Sequence, residues 1–273
     1  MRLSISNIAW ETADDDAVAG ILHEYDIDAI DVAPSKYFPV IANATERDIR
    51  RVFTWWKDKG IDIVGMQSLL YGTQGLNIFG DTSSQLALLE HLHHVCRIGA
   101  GLGARWLVFG SPRNRDRTGL SDNQAHDRAV TFFRRAGNIA AQHGVTLCLE
   151  AVAPMYGANF MTTTTDCATV VRSTDHPAIR MLLDTGAIQI NGEDPAKMVT
   201  ATEDLVEHIH LAEPGLAPYG DESSNHILTR DLIVQHLSSR IATVEMLSPC
   251  AEPPLKAMTR ALAFTRSLYQ EHS

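Results

Sequence analysis

No stretch of this sequence stays apolar for the roughly 20 residues that a membrane-spanning helix needs, so no membrane partner is expected. Cysteine is scarce. Cys96, Cys148, Cys167 and Cys250 stand far apart with no CxxC pair, which disfavours a disulfide framework or a thiolate zinc site and fits reduced thiols. The opening MRLSISNIAWETADDD turns polar and acidic too early for a secretory signal, so a cytoplasmic location is expected. Positive charge is in deficit: 23 Lys and Arg against 33 Asp and Glu leave a net charge of −10. Nucleic-acid phosphates are gripped by clustered cations, so no nucleic-acid partner is expected, and a small uncharged substrate suits this balance better. No linker or low-complexity tract divides the chain.

What is present is a regular alternation. Eight short apolar runs occur at 3–10, 27–33, 61–68, 105–111, 145–152, 179–186, 206–213 and 241–247. Their Val, Ile and Leu content is that of parallel strands covered on both faces. Between them lie stretches that read as helices, at 12–24, 46–59, 84–100, 122–143, 194–203, 229–238 and 253–270, with another beginning at Asp166 behind Thr165 as its cap. Gly60, Gly101, Gly103 and Gly144 mark helix ends. Each crossover is long enough for a right-handed βαβ unit. Eight such units in 273 residues, near the roughly 250 typical of the fold, predict one α/β domain over 1–273, a single (β/α)8 TIM barrel. The open doubly wound sheet is the rival, but no GxGxxG follows the first strand.

Barrel enzymes build their sites where the βα loops leave the C-terminal ends of the strands. By that rule Glu150 closes strand five, Asp184 strand six, His210 strand seven and Glu245 strand eight. Singly, each such residue is as readily a helix cap, a rim residue or a packed histidine. Jointly, three carboxylates set in apolar strand sequence are costly to bury without a cation. Three carboxylates and one imidazole suit a single divalent metal ion, with Mn²⁺ the first choice and Mg²⁺, Co²⁺ or Zn²⁺ as alternatives.

At these residues the chain resembles the xylose-isomerase-like barrel superfamily, and within it the sugar phosphate isomerase/epimerase branch that includes ketose 3-epimerases. The Glu–Asp–His–Glu order, at spacings of 34, 26 and 35 residues, carries the resemblance. It implies that all four residues hold one metal and that Glu150 and Glu245 double as catalytic acid and base. The reaction implied is metal-dependent isomerisation or epimerisation of a carbohydrate. A carboxylate takes the proton beside a carbonyl, an enediolate is stabilised by the cation, and the second carboxylate returns a proton.

Around this centre the pattern departs from ketose 3-epimerases. A glutamate six residues after the strand-five ligand is replaced by Tyr156, a histidine three after the strand-six Asp by Ala187, and an arginine six after the strand-seven His by Leu216. Free hexuloses are therefore expected to be poor substrates, and keto-glycosides better ones. Tyr156, Gln67, Glu213, His226 and Trp10 are the candidate substrate contacts, with Trp10 as a platform for a sugar ring. Ser68 and Asn7 face the same mouth. Arg113, Arg115 and Arg117 form a basic loop after strand four, read either as solvated or as a site for an anionic substituent, with Arg113 its candidate contact. His91, His93 and His94 fall on a helix and read as a polar face, and His208 as a neighbour of the metal ligand. A lyase acting on a keto-sugar or keto-inositol begins with the same proton abstraction and stays open. A DNA-repair endonuclease on this fold needs more histidines and a basic surface. Whether the chain assembles as a homo-oligomer is not legible.

Overall fold

All eight apolar runs begin within two residues of a strand, and all are shortened at their C-terminal ends. The computed structural model describes residues 1–222 and 224–270. The strands are β1 (Arg2–Ser6), β2 (Ala29–Val32), β3 (Asp62–Met66), β4 (Trp106–Phe109), β5 (Thr146–Glu150), β6 (Ile179–Asp184), β7 (Val206–Ala212) and β8 (Ile241–Glu245). All pairs are parallel, and β1 pairs with β8 from Arg2↔Ile241 to Ile5↔Val244, which closes the barrel. The single TIM barrel is thus the fold. No helix among the described residues is long and apolar enough to cross a membrane.

Alternation divides the side chains into two cores. Residues such as Leu107, Phe109, Leu147 and Leu149 point outward into one large cluster beneath the helices. Inside, Ala29, Val64 and Ile241 meet Trp106, and Val108, Cys148 and Leu182 form a second group. The interior is not wholly apolar, since Ser4, Asp31, His208 and Thr243 are fully buried along the same strand faces.

The outer helices are Asp15–Glu24, Glu46–Asp58, Thr82–Leu102, Asp122–Gln142, Thr164–Thr174, Pro195–Thr202, His226–Leu237 and Pro254–Gln270. Their starts are set by side chains that accept otherwise unpaired backbone N–H groups: Thr45, Asp81, Ser121, Thr163, Asp194 and Asn225. The cap expected at Thr165 is corrected here. Thr163 forms the capping box with Asp166, and Thr165 lies inside the first turn. A short helix, Thr185–Ile190, was not anticipated; its cap is Asp184.

Candidate active site and metal centre

Glu150 and Glu245 close β5 and β8, and His210, expected to close strand seven, lies two residues before the end of β7; the three come together. His210 Nδ1 stands 3.2 Å from Oε2 of Glu245 and 3.7 Å from Oε1 of Glu150. One ligand atom from each of the three lies within 4.8 Å of the others. The imidazole is fully buried and each glutamate is 8% exposed. Neither ring nitrogen of His210 has a hydrogen-bond partner of acceptable geometry. A buried imidazole aimed at two carboxylates without hydrogen-bonding either has the donor set and the orphaned atom that a divalent cation would satisfy.

Asp184 lies beside this trio but outside its tightest grouping. Its Oδ1 accepts from the N–H groups of Gly186 at 2.7 Å and Ala187 at 3.3 Å, so only one oxygen is committed to the helix cap. Burial, then the charges of Glu150 and Glu245, push its carboxyl well above the ordinary range. Burial would also raise Glu245, but His210 and the amide of Gln67 outweigh it and hold that carboxyl below its ordinary value. Gln67 donates from Nε2 to Oε1 of Glu245 at 2.6 Å. Burial works against the charged form of His210, yet Glu245, Asp31 and Glu150 together raise it well above the usual imidazole range. Such crowding of acids around one ring is the electrostatic situation that a cation relieves.

Two glycines make the arrangement sterically feasible. A Cβ at Gly110 would fall 1.7 Å from Oε2 of Glu150, and one at Gly65 would fall 2.5 Å from Oδ1 of Asp31. The chain must lack a side chain at Gly65 in β3 and at Gly110 just past β4 for the carboxylates to occupy their places.

Asp31 was not singled out from the sequence. It sits below the centre, its Oδ2 2.6 Å from Nε2 of His208 and 3.8 Å from Nε2 of His210. At 2.6 Å the contact is a hydrogen bond between the Asp31 carboxylate and the His208 ring, both fully buried. Burial opposes its ionisation, but His208 and His210 lower its carboxyl to about 2. His208 also stacks on Trp106, with ring centroids 5.7 Å apart and planes 6° apart. Asp31 thus faces the ring nitrogen of His210 that points away from the glutamates. The available signal was an acid at alternate register in an otherwise apolar strand.

Arg115 is neither solvated nor open to an anionic substituent, as the basic loop was expected to be. It is fully buried and donates from Nη1 to the Glu150 carbonyl at 2.6 Å and from Nη2 to the Gly110 carbonyl at 3.2 Å. Burial lowers its pKa to about 10, which leaves it cationic behind Glu150. Arg117 bonds to Asn159 and Asp122. Of the basic loop only Arg113 is exposed, so the three do not form one anion site.

The remaining candidates separate. Gln67 and Ser68 line a pocket of about 250 Å³ together with Glu150 and Glu245. Tyr156 is 39% exposed, and its hydroxyl accepts from the Gly215 N–H at 2.8 Å, tying the loops after β5 and β7 together. Trp10 is corrected: it is 2% exposed and donates to Asp15 at 2.8 Å, so it offers no face to a sugar. Glu213 and His226 turn toward each other at 2.9 Å, and Glu213 also accepts from Gly220 and Ser224. His226 packs against Tyr219 and Phe264, so this pair organises the loop after β7. Asn7 accepts from the Ala33 N–H at 2.7 Å and joins two loops. His93 and His94 lie on the Thr82–Leu102 helix as expected, beside His143 and Glu90.

A family model for the xylose isomerase-like TIM barrel matches residues 20–266, and the chain belongs to that family. In structure it is similar to D-psicose 3-epimerase from Clostridium cellulolyticum H10, at 16% identity and a TM-score of 0.83 over 98% of this chain and 99% of that one. It is also similar to the 3-keto-D-glucoside 4-epimerase of E. coli, at 15% identity and a TM-score of 0.80, covering 98% of this chain and 99% of that one. The IOLI protein, solved with a zinc atom bound, matches at 12% identity and a TM-score of 0.77 over 100% of this chain and 99% of that one. No curated protein matches it in sequence.

Proposed function

We propose that this chain is a divalent-metal-dependent sugar epimerase or isomerase that moves a proton next to a carbonyl, with Glu150 and Glu245 as its acid and base. The observation that carries this reading is the buried Glu150–His210–Glu245 cluster with its unpartnered His210 Nδ1. Glu150, Asp184, His210 and Glu245 would hold the ion, Mn²⁺ being the first choice for so many carboxylates. When bound, the ion stabilises negative charge developing on a carbonyl oxygen.

The chain's own residues do the rest. Glu245 is kept ionised by His210 and aimed by Gln67, as a base must be to accept a proton at neutral pH. Glu150 is held from behind by Arg115 through its backbone carbonyl, with its Oε1 3.7 Å from His210 Nδ1. The epimerase names of two structural neighbours agree with a two-carboxylate proton exchange. The substitutions at Tyr156, Ala187 and Leu216 fit a carbohydrate other than a free hexulose.

Product analysis by NMR in D2O, with Mn²⁺-loaded protein and a panel of ketoses and keto-glycosides, tests this. Deuterium at the carbon beside the carbonyl, with inversion or carbonyl migration, is the expected result. Loss of a β-substituent would make the chain a lyase and contradict the proposal.

A further inference from the structure

The exposed apolar side chains are unevenly placed. Of the ten large ones among the described residues, Val40, Tyr71, Met155, Tyr156, Ile227, Leu228 and Leu247 all lie on or beside βα loops at the catalytic end. Three of them, Val40 at 58%, Tyr71 at 79% and Leu247 at 47% exposure, line one cleft of about 890 Å³. Its floor is shared with the inner pocket, because Gln67, Ser68, Tyr71 and Glu245 border both. Whatever fills the cleft therefore abuts the reacting groups. Its size is near the top of the roughly 300–1,000 Å³ that holds a drug-sized ligand, so a lone hexulose would leave most of it empty.

Its charges are already committed. Lys36 donates to the Trp10 carbonyl and pairs with Glu11 at 3.4 Å. His91 is bonded through Nε2 to the Leu69 carbonyl at 2.9 Å. Among the described residues that line the cleft, Lys36 and His91 are the basic ones, and each is already bonded to a backbone carbonyl.

Resting on the reading of the site as a sugar epimerase or isomerase, we infer that this cleft is a subsite for an uncharged, ring-bearing aglycone, so that the substrate is a bulky neutral keto-glycoside rather than a sugar phosphate. The sugar carbonyl enters the inner pocket beside Glu150 and Glu245. The aglycone lies between the loops after β1, β2, β3 and β8, with its ring against Tyr71 and its apolar edges against Val40 and Leu247.

Calorimetric titration of the Mn²⁺-loaded full chain with para-nitrophenyl β-glucoside, methyl β-glucoside and glucose phosphate tests the subsite without turnover. The aryl glycoside is expected to bind about tenfold tighter than the methyl one, and the phosphate no tighter than the methyl one. Val40→Asp and Tyr71→Ala, both at exposed positions, should each shrink the aryl preference while the melting temperature holds. Equal affinities, tighter phosphate binding, or an aryl preference that survives both substitutions would overturn the inference. So would a dimer, seen by sedimentation, that Val40→Asp dissociates while no aryl preference exists, since a second copy would then cover the rim. Proton exchange on methyl keto-glucoside without aryl preference removes the subsite and leaves the catalytic reading standing. Aryl binding with no exchange on any keto-sugar does the reverse.

Discussion

At the residue scale the proposed metal centre would depend on groups that hold the ligands as much as on the ligands. Asp31 faces Nε2 of His210 and so favours the tautomer that presents Nδ1 toward the glutamates. Asp31→Asn is expected to weaken Mn²⁺ binding about 10–100-fold, the usual range for such outer groups, measured by calorimetric titration. Unchanged affinity would show that the carboxylate only packs. Glu150→Gln and Glu245→Gln should each abolish nearly all proton exchange at saturating metal, and full activity in either would contradict their roles. Glu150, Asp184 and Glu245 were legible as strand ends because each follows an apolar run, while His210 lies two residues inside β7. Asp31 and Arg115 were not, because burial of a charge is decided by partners distant in sequence: His208 lies 177 positions from Asp31, and the carbonyl that holds Arg115 belongs to Glu150. Trp10, Glu213 and His226 show the converse, since position near a strand end does not say which way a side chain turns.

Among the elements, hydrophobic runs located every strand, while polar continuations such as Gly110–Ser111 and Asn7–Ala9 were absorbed into them although the backbone turns there. The helix Thr185–Ile190 was invisible because six residues span too few turns to show a period. Helix starts were less legible where several threonines compete. In TTTTD the cap is the residue whose hydroxyl reaches the Asp166 N–H, and that is Thr163. Thr163→Ala should therefore cost about 0.5–2 kcal/mol of stability in chemical denaturation. Thr165→Ala, in the first turn, should cost a few tenths at most, on the general behaviour of exposed substitutions. A larger loss at Thr165 would make Thr165, not Thr163, the cap.

For the whole molecule, the charge buried along the barrel axis makes stability depend on pH. The Asp31 carboxyl falls from about 3.9 in an unfolded chain to about 2 in the fold, so its contribution is present above pH about 4 and is lost as pH falls toward 2. Denaturation of metal-free protein across that range should show the loss, and Asp31→Asn should flatten it; a flat profile in the parent chain would contradict the pairing with His208.

The central claim is that one divalent ion sits on Glu150, Asp184, His210 and Glu245. Calorimetric titration of chelator-treated protein with Mn²⁺, for the parent chain and for the Asp184→Asn/His210→Ala double variant, tests it most directly. About one ion per chain is expected in the parent, as one set of protein ligands requires, and none in the variant over the same concentrations. Stoichiometric binding retained by the double variant would contradict it.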